Sequence, residues 1–196
     1  DGQAQQTLLR PGNQPINLKI QLDPTGQSDV VSGGFSADGV DVVIRGYRAS
    51  NPGQSPIGVI AGKYTLVIPS PTNTVVSPKG DGFGEVEMDS QGNIHLTGEL
   101  SDGTIIRQET HISRGGIWPL HVPLYGGKGM LMGWITMTNH AEMDLYGDLR
   151  WFKPTTDGDR FYPRGFATRR FVFGSMYRPA PGEIDTRSSL GGVLAG

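Results

Sequence analysis

From Ile16 onward, apolar residues recur at every second position: Ile16, Leu18, Ile20 and Leu22. A period of two predicts a strand with one buried face. Asp23-Pro24-Thr25-Gly26 predicts the turn that ends it, because Pro presets φ and Gly tolerates a positive one. Val31, Gly33 and Phe35 then share a face, and Val40, Val42 and Ile44 return along it. The Asp38-Gly39 pair between these runs predicts a hairpin. Residues 50–61 read as a loop, 62–69 as a strand and 70–82 as a second long loop. The cleanest alternation follows at 84–89, with Glu85, Glu87 and Asp89 on the outer side of Val86 and Met88. Short turns at 90–93 and 101–103 predict a β-meander, and further strands follow at 117–125, 130–138, 144–153 and 167–177. The pattern totals about eleven strands. No stretch has a 3.6-residue period long enough to predict a helix. Residues 1–14 are polar and predict an arm, and 179–196 a linker-like tail, leaving one domain at 15–178.

Apolar-x-Gly-x-apolar recurs around Gly33, Gly98, Gly133 and Gly147. Glycine in mid-strand weakens a strand, so its repetition needs a cause. Strong coiling of the sheet, or a large side chain crossing from the opposite wall, would supply one. The expected fold is therefore all-β: a mostly antiparallel, meander-rich barrel or barrel-like sandwich of about ten or eleven strands.

Composition agrees with this. Glycine (30) and proline (14) fill 44 of the 196 positions, against about 12% in average proteins. A net charge of −2 gives no global basic excess that would point to nucleic acid. The absence of cysteine excludes disulfides, thiolate nucleophiles and Cys-ligated zinc. No apolar run approaches the roughly 18 residues of a membrane helix, so no membrane insertion is expected. The start at Asp1 points to processing or excision.

The runs Leu96-x-Gly98-x-Leu100-x-Asp102-Gly103-Thr104, Trp118-Pro119-Leu120-x-Val122-Pro123-Leu124-Tyr125, Gly129-x-Leu131-x-Gly133-Trp134, Leu149-x-Trp151-x-Lys153-Pro154 and Tyr162-Pro163-x-Gly165-Phe166 carry a resemblance. Gly62-x-Tyr64-Thr65-Leu66 and Gly80-x-Gly82-x-Gly84 add to it. Together they resemble a β-rich module of large secreted, multi-modular bacterial proteins, over about 60–178. The tryptophan–proline string at 118–125 is its most specific part. The resemblance implies an extracellular or cell-surface, non-catalytic module, and brings no site residues with it.

Candidate chemistry is sparse. No G-x-S-x-G or H-E-x-x-H pattern occurs. His95 and His121 alternate with apolar residues and point outward. Glu85 and Glu87 stand about 7 Å apart by strand geometry, a spacing that would suit glycoside hydrolysis. The solvated face of an amphipathic strand explains them better. Asp157-Gly158-Asp159 and Asp81-Gly82 would suit calcium, but they are also good turn dipeptides and lack EF-hand spacing. Gly126-Gly127-Lys128-Gly129 precedes a strand, so it reads as a hairpin loop and not a phosphate loop. No catalytic residue, metal site or cofactor is expected.

Two surface features remain. Residues 150–178 hold seven basic side chains, among them Arg164, Arg169 and Arg170, against Asp157 and Asp159, a net +5; residues 1–149 hold nine basic and fifteen acidic, a net −6. Such poles suit contacts with neighbouring copies or other modules, unless they are neutralised within the chain. The second feature is aromatic. Trp118 and Trp151 share rows with leucines and read as core, whereas Trp134, Tyr146 and Phe152 point outward. These three rings suit a glycan-stacking platform, an interface, or a surface covered by the arm or a long loop. The expected function is a structural or adhesive module of an exported protein, self-assembling through the arm and the row Ile16, Leu18, Ile20 and Leu22 by β-augmentation. A carbohydrate-binding module is the alternative.

Overall fold

The computed structural model describes residues 2–50, 61–71, 77–139 and 143–178; the expected tail at 179–196 lies outside them. Twelve antiparallel strands form two sheets. The first holds β1 (Gln3–Leu8), β2 (Ile16–Gln21), β3 (Val30–Ala37) and β4 (Val40–Tyr47) in sequence order. The second holds β5 (Gly62–Ile68), β6 (Gly82–Met88), β7 (Asn93–Glu99), β8 (Ile105–His111), β9 (Ile117–Leu124), β10 (Gly129–Met137), β11 (Leu145–Lys153) and β12 (Phe166–Met176). Its order is β8-β7-β6-β5-β12-β11-β10-β9. The strands β5 to β8 and β9 to β12 are thus two meanders, each strand beside its sequence neighbour, and β12 returns to β5 between Phe173↔Val67 and Met176↔Tyr64. The result is a nearly closed eight-stranded meander barrel. Its open seam lies between β8 and β9.

Two expectations are corrected. The polar arm expected at residues 1–14 contains a strand, since β1 runs antiparallel to β2 from Gln3↔Gln21 to Leu8↔Ile16. Gln3, Gln5 and Thr7 alternate with Ala4, Gln6 and Leu8, so both faces are mostly polar and no period shows. The span 15–178 is also not one barrel. The barrel begins at Gly62, and β2–β4 belong to the separate four-stranded sheet.

Alternation fills the barrel. Leu66, Val86, Ile94, Ile106, Trp118, Leu131, Ile135, Leu145, Leu149 and Val172 are fully buried, and Trp151 nearly so. Each such side chain contributes roughly 1.5–3 kcal/mol by leaving water. The inward glycines follow from coiling. A Cβ on Gly133 would run into the Asp148 carbonyl of β11, and one on Gly147 into the Trp134 carbonyl of β10. Backbones thus approach where no side chain fits. The hairpin expected at Asp38-Gly39 is present, with φ of 52° and 78° at the two positions, the double positive pair of a tight two-residue turn.

The seam has a sequence cause. Pro119 O accepts a hydrogen bond from Gln108 Nε2 of β8 at 2.9 Å. Its carbonyl therefore faces β8, and so does its nitrogen, because both point the same way along a strand. Pro119 and Pro123 share that parity and have no N–H to offer β8. The Gln108 side chain spans the gap instead, and its Oε1 accepts the Trp118 indole N–H at 3.0 Å.

Candidate binding surfaces

The outer wall of β10–β12 carries the aromatic residues expected outside. Trp134, Tyr146 and Phe152 are each about two-fifths exposed. Trp134 stands opposite Asp148 and Tyr146 opposite Thr136, so these two rings are diagonal neighbours about 7–8 Å apart by sheet geometry. Phe152 lies opposite Met130, four residues along β11 from Asp148, about 13 Å away by strand rise. The three do not form one platform. Tyr146 instead faces Phe173 across β11–β12, and Asp148 faces Phe171. The Phe171 and Phe173 rings lie 6.5 Å apart. Phe173 continues through Val67 of β5 to Phe83 of β6. A belt Tyr146–Phe173–Val67–Phe83 thus crosses four strands. Strand parity in Phe171-Val172-Phe173-Gly174 signals it, since Val172 and Gly174 face inward.

Trp134 is partly covered. The Tyr47 ring of β4 meets it edge-on at 4.9 Å between centroids. Nearby, Arg114 N donates to Arg48 O at 3.0 Å and Ser50 N to Ile112 O at 3.1 Å. These contacts seat the end of the four-stranded sheet against β8–β10.

Within the four-stranded sheet, Leu18, Phe35 and Val42 lie in register, as do Ile20, Gly33 and Ile44. Ile16 extends the row, and Leu22 follows it beyond the strand. No residue of β1–β4 is buried; Ile16, Leu18, Ile20, Phe35 and Ile44 are half-buried, while Leu22 is exposed. The edge strand β1 is exposed throughout. A shallow groove of about 480 Å³ crosses this sheet between Gln3, Gln5, Lys19, Gln21 and Gly34.

The basic cluster does not act as one surface. Arg164 is exposed in the β11–β12 loop. Arg169 is exposed and chelates Asp148, with Nε to Oδ1 at 3.1 Å and Nη2 to Oδ2 at 2.9 Å. Arg170 is a correction: it faces the interior with 3% exposure. Its parity with Phe166 and Val172 turns it inward. Arg178 pairs with buried Asp144 at 3.1 Å, and Asp144 also accepts Met176 N at 2.7 Å. Neutralisation within the chain therefore accounts for part of the positive segment.

A polar network closes the barrel end where β7, β9 and β11 finish. Tyr125 Oη donates to Asp102 Oδ2 at 2.6 Å and accepts the Trp151 indole N–H at 3.0 Å. Burial first, then the Asp102 hydrogen bond and charge, push the phenol well above its ordinary value. Lys153 Nζ binds Asp159 and lies 4.6 Å from the Tyr125 ring centroid. Lys153 thus engages one of the two acids that a calcium ion at 157–159 would need.

The remaining candidates resolve locally. Glu87 pairs with Lys63 at 3.3 Å and His95 stands 3.6 Å from Glu109, all on the exposed wall. Asp89 accepts Asn93 Nδ2 and the Gln91 and Asn93 N–H groups, and these bonds, Asn93's side chain foremost, lower its pKa. Gly126 and Gly127 take left-handed φ in a short 3-10 turn leading into β10, as a hairpin loop requires. Ser50 Oγ approaches His111 Nδ1 at 3.3 Å, but the same nitrogen lies 2.9 Å from the Ile112 carbonyl. Facing a carbonyl, Nδ1 must carry its proton, so it has no lone pair with which to activate the serine. No group of three or more potential metal ligands occurs among the described residues. The chain matches no family model, no curated protein and no solved structure.

Proposed function

We propose that this chain is a non-catalytic structural or adhesive module of an exported, cell-surface protein, associating with neighbouring copies or other modules through its four-stranded sheet. The observation that carries this reading is that no residue of β1–β4 is buried although Leu18, Phe35 and Val42 align on one face. A sheet with one apolar face and two open edges gains little stability alone. Association would cover that face and pair the edge of β1. The barrel core is mostly apolar and the outer faces of β6 and β8 carry Glu85, Glu87 and Glu109, unlike a lipid-facing barrel, which supports a role outside the bilayer. Light scattering of the full chain across concentration tests the reading. Concentration-dependent assembly that Leu18→Lys and Val42→Lys abolish is expected. A monomer at every concentration defeats it.

The Tyr146–Phe173 pair favours a second reading, a glycan-binding wall. Stacked or offset rings bind sugar faces well, and this pair lies on a rigid sheet. Glycan-array binding lost in Tyr146→Ala and Phe173→Ala supports it. Binding retained after both changes rejects it.

A further inference from the structure

The four-stranded sheet has two edges, and they are built differently. β1 reads Gln3-Ala4-Gln5-Gln6-Thr7-Leu8 and is exposed along its whole length. It carries no charge, no proline and no bulge, the devices that keep exposed edges from pairing. β4 carries Asp41 and Arg45. Its end is also taken by the barrel, where Tyr47 meets Trp134 and Arg48 O accepts Arg114 N. At the start of β1, Gly2 O accepts Leu22 N at 2.6 Å. Residues that bond a given neighbour alternate along an antiparallel strand. Ala4, Gln6 and Leu8 therefore turn their N–H and C=O groups to β2, and Gln3, Gln5 and Thr7 turn theirs to the open side.

We propose that β1 pairs antiparallel with β1 of a second copy of this chain, with Gln5 opposite Gln5 across a twofold axis. This rests on the reading that the four-stranded sheet associates, and it names the edge contact and its register. A twofold axis normal to the sheet keeps both apolar faces on one side only when opposed residues share parity. The Gln5-centred register does so, placing Gln3 opposite Thr7 and Gln5 opposite itself. Each of these pairs exchanges two backbone hydrogen bonds, all from groups that β2 leaves open. A Gln6-centred register keeps parity too, but it sets Gln3 opposite Leu9, which lies beyond the strand. With Gln5 at the axis, Ala4 faces Gln6 of the second copy. The row Ile44-Gly33-Ile20-Ala4 then runs on into the second copy's Gln6-Leu18-Phe35-Val42. The eight strands become one sheet with twice the apolar face, where four strands with two open edges gain little stability alone. A five-residue pairing falls well short of a stable interface by itself, so packing on the apolar face remains part of the association.

The chain has no cysteine, so a single introduced one reports the register in the full chain. Opposed Cα atoms in a hydrogen-bonded antiparallel pair stand about 5.5 Å apart, within the span of a disulfide. Gln5→Cys is expected to form a covalent dimer under mild oxidation. Gln3→Cys is expected not to, because Gln3 of one copy and Gln3 of the other lie about 13 Å apart along the strands. Equal cross-linking of the two variants overturns the pairing. So does no cross-link from Gln5→Cys in a chain that light scattering shows to associate, an outcome that leaves face-to-face association standing. A monomer at every concentration overturns both. Gln5→Pro is the second arm. It removes an N–H that faces the open side, so the β1–β2 ladder keeps its bonds. Association should weaken about tenfold or more through the two bonds lost at the axis. Assembly that Gln5→Pro leaves unchanged and Leu18→Lys abolishes overturns the edge pairing alone.

Discussion

Gln108 joins two strands that the backbone cannot, because Pro119 turns its imide nitrogen toward β8. The Gln108 amide gives its Nε2–H to the Pro119 carbonyl and takes the Trp118 indole N–H on Oε1. One side chain thereby substitutes for a missing ladder and satisfies a tryptophan inside the core. Gln108→Leu keeps the volume but orphans the buried indole N–H, so it is expected to cost about 1–3 kcal/mol. Denaturant unfolding measures it. A change within about 0.5 kcal/mol would show that the seam does not depend on this amide.

Gly133 and Gly147 set how tightly the barrel coils. Gly133→Ala drives a methyl into the Asp148 carbonyl, which is backbone and cannot swing away. Overpacking of this kind costs typically 1–3 kcal/mol. A control at Gly115, where a Cβ meets nothing within 4 Å, should leave the melting midpoint within about a degree. Equal effects at the two positions would contradict the coiling argument.

How much of this was legible in the sequence differs by element. β5–β12 showed themselves because inward apolar residues recur at every second position, most cleanly where the outward ones are charged, as in Glu85-Val86-Glu87-Met88. β1 stayed hidden because Gln3, Gln5, Gln6 and Thr7 carry no apolar period; only the partner strand reveals it. The prolines at 119 and 123 were visible in sequence, but which neighbour they face depends on register. Arg170 was grouped by charge with Arg169, although parity with Val172 already separated them. The outward placement of Trp134, Tyr146 and Phe152 was readable from alternation. Their separation was not, because it depends on how β10 pairs with β11.

Tyr125 links the barrel end to alkaline pH. Its folded-state pKa is raised above the ordinary 10.0 by burial, with Asp102 adding to the shift. A raised folded value means that the native state keeps a proton the unfolded state releases. The corresponding stability is full below pH 10 and is lost as pH rises from there toward the folded value. Wild-type melting points should therefore fall more steeply above pH 10 than those of Tyr125→Phe, which lacks the proton. Identical alkaline slopes would remove Tyr125 from the account. At neutral pH Tyr125→Phe should cost about 1–3 kcal/mol, through the unpaired Trp151 N–H.

Arg169 and Asp148 form a well-aligned pair on the exposed wall. Exposed pairs contribute about 0–1 kcal/mol. Arg169→Ala should therefore leave both stability and assembly nearly unchanged. Loss of assembly in this variant would return the basic segment to the interface and displace the four-stranded sheet from that role.

Tyr47 and Trp134 decide how firmly the two sheets are joined. The rings meet edge-on at 4.9 Å, a geometry worth about 0.5–1.5 kcal/mol beyond area. Among the described residues the other ties are the Arg114–Asp29 ion pair, the hydrogen bonds from Arg114 N to Arg48 O and from Ser50 N to Ile112 O, the Ser50–His111 contact and the Ala49↔Ser113 bridge. Removing Tyr47 therefore takes the aromatic contact out of the junction without touching the barrel interior. In Tyr47→Ala, Trp134 should become more accessible to an aqueous quencher, and limited proteolysis should cut after β4 sooner than in the wild type. The barrel should keep its melting midpoint, because its core residues contact one another and not Tyr47. A lowered barrel midpoint with unchanged quenching would mean that the four-stranded sheet and the barrel unfold as one unit.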